Sequence, residues 1–384
     1  MRNIDSKIKE IREQIHQYPE LGSKEYKTSA LIEAYLKTLG VPIQKIAGTG
    51  LVVYLDNKKK DTILLRADMD ALPITENTGL QFSSKVPGVM HACGHDVHVA
   101  ILLGTIKKLL DYRHLLNCNI KFAFQPNEEG SGGAQRMIDE GILELPSVSA
   151  AFALHVWPEF VTGVVGIKSG SLTATCDEYT IEVIGKGGHV AKPESNRNPI
   201  VATAELIMLI KSIKIAEPHI LDVTSIQSGS GALNIVPENC VIQGSVRVVS
   251  PEFRNIMSDK IIEVCKIIES RYDVECKFTP RYMLQFSPMI NDDGLAQYSK
   301  QIISKYTNVK ELEKPYFIAE DFACFSSHIP SLLMLLGCST KDRLGNNELH
   351  QSNMIVDERV IDLGIHIFTD IVLNFNRNDE ADDS

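Results

Sequence analysis

The run His91-Ala92-Cys93-Gly94-His95-Asp96-Val97-His98 places side chains that can ligate a metal, or tune a ligand, at nearly every other position. Gly94 lets the backbone turn tightly enough to aim Cys93 and His95 at one point. That pattern suits a metal centre or a nucleophile better than it suits a core. Farther along, Gln125-Pro126-Asn127-Glu128-Glu129-Gly130 sets an acidic pair at the end of an apolar run. Thiolate, imidazole and carboxylate are zinc-type donors. Cys93 and His95 come from one loop, Glu129 and His155 from strand ends, and His350 from behind the loop Gly345-Asn346-Asn347. These donors exceed what one tetrahedral structural site needs, and two metals sharing a bridging thiolate would use them. Two ions about 3.5–4 Å apart can polarise a carbonyl and activate a water together. Glu128, beside a ligand but pointing elsewhere, is then the natural general base. Alternation puts Asp68 and Asp70 on one face, where one of them can orient His95 by accepting its second N–H.

Other readings share these residues. Cys93 and His95 could form a nucleophile–base pair with no metal, which leaves Glu129, His155 and His350 without a task. A ligand-binding protein that kept the site would have no use for Glu128. The isolated His16, His114, His219, His328 and His366 read as surface or satisfied core residues. His91 and His98 read as supports rather than ligands. Cys118, Cys240, Cys265 and Cys276 fall in strand or helix patterns and read as packed.

The elements that position the site follow an α/β pattern. Residues 5–39 are helical with an interruption near Pro19, and 51–55 and 63–67 are strands with a polar turn at 56–61. Residues 97–110 form a helix, 120–125 a strand ending at Pro126, 132–139 a helix, and 150–156 a strand ending at His155. Strands alternating with helices predict a mixed, largely parallel sheet flanked by helices, with functional residues at the carboxyl ends of the strands. The middle reads differently: strand 178–184, helix 199–215, strands 221–227 and 240–249, helix 252–270, and a last strand at 273–279. That βαββαβ order is the ferredoxin-like α+β unit. The expected organisation is a catalytic domain of 1–177 and 286–384, interrupted by an inserted domain at 178–285. A helix near 294–306, a strand at 331–336 and a helix at 357–375 complete the first; the polar tail from Asn376 is expected to fray.

Bulk properties narrow the class. The 384 residues are 44% hydrophobic and 23% charged, enough for about two domains of ~150 residues each. The net charge is −10, and the densest basic run, Lys58-Lys59-Lys60, is flanked by Asp56 and Asp61, so it reads as a solvated hairpin tip. Nucleic-acid binding is disfavoured. The first residues have no apolar core of a signal peptide, and no stretch approaches the ~20 apolar residues of a membrane span. The expected location is the cytoplasm.

The chain resembles the metallo-aminoacylase and carboxypeptidase superfamily. It looks closest to the branch of hippurate hydrolases, auxin-conjugate hydrolases and N-acetyldiaminopimelate deacetylases. The resemblance runs nearly end to end. It is carried by His16-Gln17-Tyr18-Pro19-Glu20-Leu21-Gly22, Arg66-Ala67-Asp68-Met69-Asp70-Ala71-Leu72-Pro73, Met90 to Asp96, Gln125 to Gly130, Leu154-His155-Val156, Gly187-Gly188-His189, Asn234-Ile235-Val236-Pro237, Glu320-Asp321-Phe322 and Leu349-His350. It implies hydrolysis of N-acyl amino acids with two divalent ions, zinc first, with manganese, cobalt or nickel as substitutes. A dipeptidase or carboxypeptidase of the same mechanism is the alternative. By the same resemblance Cys93 would bridge the ions, His95 and Glu129 hold one, and His155 and His350 the other. Glu128 would be the base and later the proton donor. His189 would stabilise the oxyanion in a partner subunit's site, with the inserted domain serving as lid and dimerisation domain. Asn234 would contact substrate, and Arg247 would pair with a substrate carboxylate. Asn127 departs from the family's usual Ala, and Val190 and Glu194 depart from the usual small residue and second His of the His189 segment.

Overall fold

The structure, a computed structural model, describes residues 5–229, 231–283 and 287–375; the inserted-domain boundary expected at 285 and the tail from Asn376 lie outside them. The described chain divides into two compact units. One draws on Met1–Gly170, Ile290–Lys314 and Asp321–Ser384, the other on Ser171–Met289 and Pro315–Glu320.

The first unit is built on an eight-stranded sheet in the order Ile43–Ile46, Gly50–Leu55, Asn119–Gln125, Thr62–Asp68, Ala150–Val161, Ser331–Ser339, Val164–Ile167, Asn308–Glu311. The four strands from Asn119–Gln125 to Ser331–Ser339 are mutually parallel. Three of them, Thr62–Asp68, Asn119–Gln125 and Ser331–Ser339, are buried at every residue, as strands covered on both faces must be. The outer pairings are antiparallel, except that Asn308–Glu311 runs parallel to Val164–Ile167. The helices Ser6–Gln17, His95–Asp111 and Arg359–Asn374 contribute Ile8, Ile11, Ile15, Ile101, Leu102, Ile106, Ile361, Ile367 and Phe368 to one core.

The lysine run at 58–60 is exposed, but it is not a hairpin tip. The strands on either side of it are not partners: Asn119–Gln125 lies between them, antiparallel to one and parallel to the other. The linker therefore crosses two inter-strand spacings, about 10 Å, an easy span for its length. Alternation marks a strand and its faces; it does not say which strand lies next to which.

The second unit carries an antiparallel sheet in the order His219–Ser228, Asn239–Val248, Asp177–Ile184, Glu275–Arg281. The elements follow in the order βαββαβ, with helices Pro199–Ser212 and Glu252–Tyr272. One face of the sheet packs on them through Ile181, Val183, Leu206, Ile210, Ile242, Val248, Ile261 and Ile268. A separate two-stranded ribbon pairs Gly188–His189 with Ile235–Val236.

Candidate metal centre

Gly94 has φ +83°, and a Cβ there would come within 2.4 Å of Val156 Cγ2, so no other residue fits this turn. Beyond it, His95 is the first residue of the helix His95–Asp111 rather than part of the loop. The backbone amide of His350 donates to Ala92 O at 2.9 Å, which brings the two distant segments together.

The site sits where the parallel strands end. Asp68 and Gln125 are paired last residues of their strands. His155 does not end its strand, which continues to Val161. Its pairing with Thr62–Asp68 stops at Arg66 and Ala153, so His155 lies two residues beyond the last paired residue, level with the strand end at Asp68, while its own strand runs on beside Ser331–Ser339.

The donors converge. Ligand atoms of Cys93, His95 and His155 lie within 4.8 Å of one another, and so do those of Cys93, Glu129 and His350. Cys93 Sγ is 3.4 Å from His155 Nε2, and His350 Nε2 is 3.2 Å from Glu129 Oε1. Cys93 is common to both groups, as a bridging ligand would be. His95 Nε2 also lies 3.9 Å from Glu129 Oε1. Glu129 Oε1 thus neighbours both His95 and His350, and His95 neighbours both Glu129 and His155.

Polar partners prepare His155 as a donor and fix His98 beside it. His155 Nδ1–H donates to Val156 O at 2.8 Å, which turns Nε2 toward Cys93. Burial, then the neighbouring His98, pushes its pKa down to about 3, which favours the neutral form a ligand needs. His98 is fully committed: Nδ1–H donates to Asp68 at 2.6 Å and Nε2 accepts from the Val156 amide at 2.9 Å. Both carboxylates face His95, with Asp70 Oδ1 3.5 Å from Nδ1 and Asp68 Oδ2 3.7 Å from Nε2. Burial opposes charge on His95, but Asp68, Asp70 and Glu129 outweigh it and raise the pKa to about 10.

The donor set fits divalent cations on two observations. Both ring nitrogens of His95 are buried without a hydrogen bond, and Oε1 of Glu129 faces only the imidazoles of His350 and His95 among the cationic side chains of the described residues. Burial, then the charges of Glu129, Glu128 and Asp68, hold the Cys93 thiol well above its ordinary pKa. A thiolate in that setting needs cationic charge, and bound ions would supply it.

Asp70 has a second task that the sequence did not reveal. Its two oxygens accept the backbone amides of Glu128 and Glu129, each at 3.0 Å, and so fix the short helix Glu128–Ser131. Glu128 is buried, with a carboxylate oxygen within 4.8 Å of ligand atoms of His95 and Glu129. Arg66 ties the strand ends together, donating to Asp68, Gln125 and Asp321 at 2.7–2.9 Å. The sequence signals for this network were polar residues closing buried apolar strands and their place in the motifs that carry the resemblance.

Behind the ligand loop, His16 is a satisfied core residue. Its Nδ1 donates to Asp96 at 2.9 Å and its Nε2 faces Glu76 at 3.3 Å, with Arg12 Nε 2.7 Å from the same Asp96 oxygen. Burial would raise the Glu76 pKa, but His16, Thr78 and the Ser84 amide bring it down from 4.5 to about 2. A carboxylate with a depressed folded pKa contributes stability that is full above its unfolded pKa and lost as pH falls toward the folded one. Thermal scans should therefore show the Tm of the natural protein falling more steeply between pH 4.5 and 2 than that of Glu76→Gln. Parallel curves would contradict the assignment.

His189, Asn234 and Arg247 belong to the second unit. His189 and Asn234 meet on the ribbon, where the Val190 amide donates to Asn234 O at 3.1 Å. His189 Nδ1 accepts from the Ala191 amide at 3.1 Å, which puts the proton of the neutral ring on Nε2. Arg247 is elsewhere, on the four-stranded sheet opposite Ile220.

The model of the peptidase family M20/M25/M40 matches residues 64–374. The chain belongs to this family. It is 36% identical over 375 residues to thermostable carboxypeptidase 1 of Saccharolobus solfataricus, covering 95% of this chain and 94% of the relative. It is 33% identical over 376 residues to N-acetyldiaminopimelate deacetylase of Priestia megaterium, covering 95% and 97%. Among solved structures, a dinuclear metal-binding peptidase of the M20 family from Bacillus subtilis superposes with a TM-score of 0.85 at 27% identity, covering 96% of this chain and 97% of that one. This M20 protein is thus a hydrolase of the peptidase and amidohydrolase class. Among its described residues no helix is long and apolar enough to cross a membrane.

Proposed function

We propose that this M20 protein is a metal-dependent amidohydrolase that cleaves N-acyl amino acids. Cys93, His95, Glu129, His155 and His350 would hold two divalent ions, with the sulfur shared. When bound, such ions supply Lewis acidity that polarises the amide carbonyl and lowers the pKa of water. Thiolate and imidazole donors favour zinc, with manganese, cobalt and nickel as alternatives.

The observation that carries the reading is Glu128. It stands among the donors without being needed as one, and Asp70 holds its backbone. A buried carboxylate so held can take a proton from the attacking water and return it to the leaving amine. His189 is assigned to the oxyanion, supported by the neutral ring that keeps its donor on Nε2. Asn234 and Arg247 are assigned to substrate. Pairing of two copies through the second unit, as lid and dimer contact, is supported by the exposed Val201 and Met208 on one helix and by Ile220 and Ile226 on the edge strand His219–Ser228. The proposed location is the cytoplasm, whose reducing conditions suit the free cysteines.

Elemental analysis paired with a substrate panel tests this. The panel holds N-acetyl amino acids and dipeptides, assayed before and after chelation. The expected result is about two divalent ions per chain, activity lost to the chelator and restored by metal, and preference for N-acetyl substrates. Preference for dipeptides would move the assignment to the carboxypeptidase reading that the Saccharolobus relative favours. Activity indifferent to chelation would overturn both.

A further inference from the structure

Glu25 is fully buried, and no cationic side chain among the described residues pairs with it. A carboxylate in that position is expensive unless its hydrogen bonds accomplish something. Its place at the start of the helix Tyr26–Thr38 suggests an ordinary N-cap, but its side chain does not cap that helix. Glu20 does so instead, accepting the amides of Lys27 and Thr28 at 2.8 and 2.9 Å. Glu25 is thereby free for other partners. Its Oε1 accepts the amides of Ser23 and Asn127, each at 2.9 Å, and its Oε2 accepts the Thr49 hydroxyl at 2.6 Å.

The Asn127 amide is the telling contact. Asn127 has φ +56°, a left-handed conformation, and it immediately precedes Glu128 and Glu129. That backbone is sparsely populated by non-glycine residues and persists only where its surroundings hold it. Gly22 makes the close approach possible: a Cβ there would lie 2.0 Å from Asn127 Oδ1 and 3.2 Å from Asn127 Cα. Three consecutive amides, of residues 127, 128 and 129, thus end on two buried carboxylates, Glu25 for the first and Asp70 for the others.

We infer that Glu25, steadied by Thr49, is a positioning residue that clamps the Asn127–Glu129 turn and so sets the orientation of the Glu128 carboxylate. Its catalytic consequence rests on the reading of Glu128 as the base; the clamp itself does not. Of this turn Glu25 holds only the Asn127 amide, while Asp70 keeps those of Glu128 and Glu129, so its loss should loosen the start of the turn without emptying the site. A base displaced by a fraction of an ångström turns over more slowly on substrate bound as before.

The test compares Glu25→Ala, Glu25→Gln and Thr49→Val. Amide hydrogen exchange is followed by mass spectrometry in the metal-free protein, and kcat and KM are measured on the N-acetyl amino acid turned over fastest in the panel. For Glu25→Ala the expected result is at least about tenfold faster exchange across 126–130 and unchanged protection of the strand Asn119–Gln125. kcat should fall by about 10–100-fold with KM and metal content nearly unchanged. Gln keeps an acceptor for the Asn127 amide and should restore most of both. If Glu25→Ala does not fold, Thr49→Val decides, with smaller changes of the same kind expected. Unchanged exchange at 126–130, a change confined to KM, or Gln as damaging as Ala would overturn the inference. Should Glu128→Gln prove active while Glu25→Ala still loosens the turn, the base assignment fails and the clamp stands. Should Glu128→Gln be inactive while Glu25→Ala changes nothing, the clamp alone fails.

Discussion

Glu128→Gln is expected to lower kcat by about 10²–10⁴-fold, the usual contribution of a positioned general base. The metal content should stay that of the natural enzyme. The substitution is nearly isosteric and removes the proton-accepting carboxylate without touching the five proposed ligands. Asp70 holds the Glu128 backbone amide rather than its side chain, so the turn keeps its geometry in the variant. Binding should survive, so KM should change far less than kcat, and a slowly turned-over substrate should still protect the protein against heating. Glu129→Gln is the matched control. It alters the adjacent carboxylate, whose Oε1 faces both His95 and His350 and whose pKa, despite burial, is held low chiefly by His350 and His95. That variant should lose metal as well as activity. If Glu128→Gln retained turnover, or if the two variants behaved alike, the division of labour within the acidic pair would be wrong.

How far the sequence disclosed these roles differed from residue to residue. The donors were legible because their types are rare in such density and because each neighbours an apolar run that reads as a strand or helix. The βαββαβ order of the second unit was legible because one face of its sheet is solvated, which leaves clean alternation, as in Asp177–Ile184. The central sheet disclosed less. Its parallel strands are buried on both faces, so their pattern is continuous and carries no register, and the insertion of Asn119–Gln125 between Gly50–Leu55 and Thr62–Asp68 left no local trace. The short strands Ile43–Ile46, Val164–Ile167 and Asn308–Glu311 also went unread, being too brief for periodicity. The carboxylates that support the site were the least legible. Asp70 and Glu25 act on backbone amides far away in sequence, and an amide carries no residue identity that a pattern could match. His98 lay within the obvious cluster, yet only the contacts with Asp68 and the Val156 amide separate it from the ligands.

Cys93→Ser should cost more than any other single change, because its sulfur belongs to both donor groups. The expected outcome is loss of both ions at stoichiometric metal, with affinity reduced well beyond the 10–100-fold typical of supporting residues, and activity falling with occupancy. Serine matches the side chain in size, so circular dichroism should report an intact fold. The competing account makes Cys93 a nucleophile with His95 as its base; the structure also places His155 Nε2 3.4 Å from the sulfur. That account needs a reactive thiolate in the metal-free protein. The surroundings oppose it: burial first, then the charges of Glu129, Glu128 and Asp68, push the thiol well above its ordinary pKa. Iodoacetamide should therefore modify the metal-free protein at Cys93 only slowly at neutral pH, and the chelated enzyme should be inactive before any alkylation. Rapid alkylation with full metal retention in Cys93→Ser would reverse the assignment. A cysteine surrounded by carboxylates makes a poor free nucleophile, whereas the same carboxylates favour the divalent ions that would keep its sulfur ionised.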